Sequence, residues 1–135
     1  MKKIVLISFL IISLNAFSQN TDRKKTAEIK RSEMLEKRYA EFQLKKALSQ
    51  QSDEPILTGE KKTILNDSIS AIKAAEKFLF KIYGKAIIEA QKPYKVYLID
   101  NYWIIWGSYI NNEAFLIILD KRNSNILKHE MRKLE

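Results

Sequence analysis

Two neighbouring segments, Tyr102 to Tyr109 and Ala114 to Leu119, carry apolar residues on both of their alternating sides. In the first, Trp103, Ile105 and Tyr109 share one side, and Tyr102, Ile104 and Trp106 share the other. In the second, Phe115, Ile117 and Leu119 oppose Ala114, Leu116 and Ile118. Successive side chains of a strand point to opposite faces, and an antiparallel strand with one wet face alternates apolar with polar residues. These two segments do not alternate, so the sheet they build must be covered on both faces. That requirement constrains the chain more than any other feature of it.

The surrounding pattern supplies the rest of a small domain. Asp67 or Ser68 can cap a helix by accepting a hydrogen bond from its first turn, and Ile69, Ile72, Ala75, Leu79 and Ile82 then recur on one face, with Phe78 beside them. Gly84 follows, where a helix end favours a residue free to adopt positive φ. Ile87-Ile88 is read as the start of a short edge strand ending near Pro93. Strands are predicted at Tyr94 to Ile99, Tyr102 to Tyr109, Ala114 to Leu119 and Ile126 to about Met131. The separating turns are Asp100-Asn101, Asn111-Asn112-Glu113 and Lys121 to Asn125. Short turns between consecutive strands imply an antiparallel meander.

The expected fold is α+β. One main helix packs on an antiparallel sheet of three to four strands, and a charged helix precedes it. The main helix can cover one face of the sheet. Three covers are open for the other: a helix over Thr26 to Leu48, a second copy of the chain, or a different partner. In that preceding helix Leu35, Tyr39 and Phe42 form a narrow stripe among many charges, which predicts an arm lying loosely on the domain.

The first residues read as a secretory leader. Lys2 and Lys3 precede an apolar run from Ile4 to Leu14, and Ala16-Phe17-Ser18 offers small residues for cleavage before Gln19. A run of about 11 residues is short for a bilayer span, so no membrane-spanning segment is expected once the leader is gone. The predicted organisation is a signal peptide at 1–18, a charged helical arm at 19–49, a linker at 50–66 containing Pro55 and Gly59, and the domain at 67–131. An exported protein, periplasmic or secreted, follows from this. With no cysteine, it holds its fold by core packing, without disulfides or a lipid-modified cysteine. The formal charge of +8 falls with loss of the leader, and the basic residues of the arm are interleaved with acids from Asp22 to Glu41. A solvated charged helix explains that mixture better than a nucleic-acid surface does.

The sequence holds no recognisable catalytic constellation. His129 is the single histidine and is expected at the surface, so metal ligand sets and nucleophilic triads lack members. Gly59, Gly84 and Gly107 are isolated rather than clustered as a phosphate loop requires. Glu76 is the one carboxylate whose position can turn it inward, and it is expected as a helix-surface charge or a paired structural residue. No cofactor, metal or catalytic residue is assigned.

The string SISAIKAAEKFLFKIYGKAIIEAQKPYKVYLIDNYWIIWGSY resembles the bacterial immunity proteins of nuclear transport factor 2-like fold. The matching residues are Ala71, Ile72, Ala75 and Glu76; Ile82, Tyr83 and Gly84; Lys92, Pro93 and Tyr94; Trp103 and Gly107; and Ile126, Leu127 and Lys128. The resemblance covers about residues 68–128. It departs at Asn111-Asn112-Glu113 and Asn123 to Asn125, where the family tends to have glycine, but asparagine tolerates positive φ. The resemblance implies a non-enzymatic protein that neutralises a cognate toxin by direct binding. Self-association is the alternative partner, and a small-molecule or peptide binding module of the cell envelope is the alternative function. Tyr102, Trp103, Trp106 and Tyr109 are the expected partner-binding residues, because large aromatics dominate interface energies.

Overall fold

The computed structural model describes residues 2–51 and 62–135, with side chains from Asn20 onward. Pro55 and Gly59 lie outside the described residues, as do the side chains on which the leader reading rests. Helix α1 spans Lys2–Ser49, α2 Ser68–Tyr83 and α3 Lys85–Glu89. Strands β1 Lys95–Ile99, β2 Tyr102–Trp106, β3 Glu113–Asp120 and β4 Ile126–Lys133 follow. The fold is α+β, and its sheet is an antiparallel meander in the order β1-β2-β3-β4. Two compact units divide at Arg38 and Tyr39. The first is the leading part of α1, where Ile29, Met34 and Leu35 are exposed.

The second unit, Tyr39–Glu135, is a sheet closed on both faces. On one face Trp103, Ile105, Phe115, Ile117 and Leu119 pack with Ala71, Ala75 and Leu79 of α2. On the other, Ile104, Trp106, Leu116 and Ile118 pack with Ala40, Leu44 and Ala47 of α1. Of the three covers open from sequence, the chain's own residues 39–49 take the position.

The inward stripe of α1 differs from the expected one. Leu35 and Phe42 are exposed, whereas Ala40, Leu44 and Ala47 are buried. Ala40, Leu44 and Ala47 pack with Trp106, Tyr39 meets its ring edge-on, and Phe42 is left outside. This part of the arm is therefore packed rather than loose. On α2 the expected Ala75 and Leu79 are buried and Ile72 and Phe78 pack beside them, but Ala71 joins the inward face while Ile69 and Ile82 are exposed.

Local chemistry explains where the elements start and stop. Asp67 caps α2 by accepting from the Ser70 backbone N–H at 2.7 Å, and Ser70 Oγ accepts from the Asp67 N–H, which closes a reciprocal capping box. The backbone N–H of Ser70, and after it the Ser70 side chain, hold the Asp67 carboxyl below its usual pKa. Gly84 ends α2 at φ 94°, and α3 follows at once. Ile87-Ile88 thus lies in a short helix, not in the expected edge strand, and Ile88 is fully buried against the core. At the β2–β3 turn, Asn111 and Asn112 both take positive φ, as a tight hairpin requires.

The predicted linker 50–66 contains an anchor. Leu65 is buried, its N–H donates to the Lys121 carbonyl at 2.9 Å, and its carbonyl accepts the indole N–H of Trp103 at 3.0 Å. That clip fixes the segment entering α2 to the sheet.

Candidate partner-binding site

An open cleft of about 640 Å³ lies between α2 and the segment joining α3 to β1. Ile69, Ile72, Lys73 and Glu76 line it from the helix, and Lys92, Pro93 and Tyr94 line it from the opposite side. Ile69, Lys73, Lys92 and Pro93 are exposed, whereas Ile72, Glu76 and Tyr94 are half-buried. The first group forms the lips and the second the floor.

The polar groups on the floor are tightly interlocked. Tyr94 donates its hydroxyl hydrogen to Glu76 Oε1 at 3.0 Å, and Lys92 Nζ stands 3.2 Å from the same oxygen. The Tyr94 ring packs edge-on against Phe115 at 5.1 Å between centroids, which ties the cleft to the core. Burial, and then the hydrogen bond to the Glu76 carboxylate, push the Tyr94 phenol well above its usual pKa. The phenol therefore stays protonated and remains a donor. Glu76 is paired, in keeping with the structural role expected from sequence.

Behind the cleft, Gln91 is buried and joins several elements. Its Oε1 accepts from the Phe115 N–H at 2.8 Å, and its carbonyl accepts from the Ser108 N–H at 2.8 Å. Gly107 is required there, because a Cβ at that position would run into the Gln91 side chain and Phe115. Ser108 Oγ donates to the Pro93 carbonyl at 2.9 Å, so the β2–β3 turn springs from the rim of the cleft.

The four aromatics expected at a recognition surface are divided by the fold. Trp103 is 7% exposed, with its indole N–H bonded to Leu65, and Trp106 is 9% exposed. Trp106 stacks on Tyr97 and meets Tyr39 edge-on. Both indoles are core groups, because α2 and residues 39–49 each cover one face of β2. Tyr102 is half-buried, with the Arg122 guanidinium 5.9 Å from its ring centroid. Tyr109 lies beyond the end of β2 and is 43% exposed, beside the exposed Ile110.

Residues 70–133 match the NTF2 fold immunity protein family. The match bears out the resemblance drawn from the sequence, and it runs from the first turn of α2 to the end of β4. No curated protein and no solved structure matches the chain.

Within the matched segment, two of the motif fragments that carried the resemblance meet at the cleft. Glu76 comes from one fragment, and Lys92, Pro93 and Tyr94 from another. The convergence was not legible in sequence, where the fragments stand far apart. An expectation that acids on a helix are solvated does not reveal a carboxylate shared by a lysine and a tyrosine.

His129 also differs from expectation. It is half-buried, edge-on to Phe78 at 4.9 Å, with Nδ1 3.1 Å from the Tyr83 hydroxyl. Burial holds its pKa below the usual histidine value. Among the described residues, no group of three or more His, Cys, Asp or Glu converges to hold a metal, and no helix is long and apolar enough to cross a membrane.

Proposed function

We propose that this protein neutralises a toxin by binding it directly, without catalysis, after export from the cytoplasm. The immunity-family match over residues 70–133 carries this reading. Its support in the fold is a sheet whose faces are both occupied by the chain's own helices, which leaves turns and helix surfaces to meet a partner. Of the partner-binding aromatics expected from sequence, Tyr109 is the most exposed, with Ile110 and the cleft rim beside it, and Trp103 and Trp106 lie in the core. Tyr102 is a secondary contact beside Arg122. The leader pattern over Met1 to Ser18 supports export to the periplasm or beyond.

The test is co-expression with proteins encoded beside this chain. Growth restored in the presence of one toxic neighbour, together with a stoichiometric complex of the two, is the expected result. The reading fails if no neighbour is neutralised and none co-purifies.

The cleft favours a second reading, a small-molecule or peptide binding module of the cell envelope. About 640 Å³ with mostly apolar walls falls within the range of ligand sites. A thermal-shift screen distinguishes the two: an uncharged small molecule that raises the melting temperature of the isolated protein favours the module.

A further inference from the structure

The cleft carries a charge pattern that specifies its occupant more closely. Glu76 already holds Lys92 and the Tyr94 hydroxyl, so the one carboxylate on the floor is compensated from within the chain. Lys73 stands on the opposite lip, exposed, with Ile69 and Ile72 beside it. Ile69 is 64% exposed, and with Ile72 and Pro93 it forms an apolar shelf next to a cation.

The rim also extends beyond the cleft. Ser108 bonds to the Pro93 carbonyl, which anchors the turn bearing the exposed Tyr109 and Ile110 to the same edge. A small ligand filling the cleft would not reach that turn, whereas a length of polypeptide would.

We propose that this cleft seats an acidic–apolar segment of the partner protein. An aliphatic or aromatic side chain of that segment packs on Ile69, Ile72 and Pro93, and a neighbouring carboxylate pairs with Lys73. The inference rests on the binding reading above and names where and how the partner is held.

The probe is a capped peptide, Glu-Leu-Phe-Glu, titrated into the isotope-labelled full chain and followed by amide chemical shifts. Shifts at Ile72, Lys73 and Tyr94 are expected, with at least tenfold weaker binding when glutamine replaces both glutamates. Lys73→Glu and Ile69→Asp are each expected to weaken the peptide at least tenfold while leaving the melting temperature nearly unchanged. Both side chains are exposed, and at Ile69, in the first turn of α2, an acid suits the helix dipole. Equal binding of the glutamine peptide, shifts elsewhere, or no shifts would overturn the assignment. So would a free aromatic acid that binds the cleft more tightly than the peptide does.

A second arm separates this inference from the function it rests on. If a neutralised toxin binds Lys73→Glu and Ile69→Asp as tightly as the unaltered chain, the cleft assignment falls and the immunity reading stands. If the peptide behaves as expected but no toxin is neutralised, the cleft assignment stands without the immunity reading.

Discussion

On the face of the sheet that meets α2, the Trp103 indole N–H is bonded to Leu65, Asp67 and Ser70 cap the helix, and Gln91 joins the Phe115 and Ser108 backbones. On the face that meets residues 39–49 of α1, the cover packs by shape. Ala40, Leu44 and Ala47 fit against Ile104, Trp106, Leu116 and Ile118, the Tyr39 hydroxyl is buried without a hydrogen-bond partner, and the ion pairs of Glu130, with Lys128 at 3.3 Å and with the buried Arg132 Nε at 3.9 Å, lie within β4. The Arg132 guanidinium sits over the Tyr39 ring at 5.1 Å, and burial lowers its pKa. Hydrogen bonds are directional and fix one register, whereas apolar contact tolerates small slides at little cost. The first cover is thus bolted in place, and the second is held by fit.

The largest expected effect lies on the bolted face. Phe115 is 1% exposed and touches both Tyr94 and the Gln91 network. Phe115→Ala should lose about 3–5 kcal/mol in urea unfolding, through lost transfer energy and a cavity among hydrogen-bonded neighbours. Leu44→Ala on the fitted face should lose about 2–3 kcal/mol, toward the low end for buried leucine, because the helix can settle inward. Equal losses would break the comparison.

A smaller effect is expected at the cap. Asp67→Ala removes the acceptor for the Ser70 N–H and should lower the melting temperature, with far-ultraviolet dichroism showing fraying of α2. A loss within error would mean that the Leu65 clip alone sets the start of the helix.

The pH dependence of stability should also report the α2 face. Burial of His129 against Phe78 and Tyr83 disfavours its charged form, so the folded pKa lies below the ordinary value of 6.5. The unfolded chain then takes the proton first. Stability from this group is full above about 6.5 and is lost as pH falls through the folded value. Melting temperatures measured between pH 7.5 and 5 should therefore decline, and His129→Gln should flatten the decline. An unchanged slope in the variant would place the proton uptake elsewhere.

The smallest effect has the opposite sign. Because the Tyr39 hydroxyl is buried without a partner, Tyr39→Phe should be neutral or stabilising by up to about 1 kcal/mol. A clear loss would show that the hydroxyl holds residues 39–49 in register, and the contrast between the two faces would narrow.

Much of the framework was legible in sequence because it depends on neighbours along the chain. The meander, the α2 cap at Asp67, the positive φ at Gly84 and the Asn111-Asn112 turn follow from alternation, side-chain acceptors and steric freedom at single positions. The demand that the sheet be covered twice was also legible, from Trp103 and Trp106 on opposite sides of one strand. On α2 the expected Ala75 and Leu79 do face the core, as Tyr39 does on α1, but Ile69, Ile82, Leu35 and Phe42 were given priority over the alanines at 40, 47 and 71 that the packing buries.

The sequence by itself determined that a two-sided apolar sheet would form and that the chain or a partner must close both faces. Tertiary structure decided that the chain closes them itself, which moved the indoles from a supposed surface into the core. It also decided that Glu76, Lys92 and Tyr94 would meet beside an exposed Ile69. Alternation along a strand reports only the polarity of each face, whereas the identity of a cover, and the meeting of residues distant in sequence, depend on how separate elements approach in space.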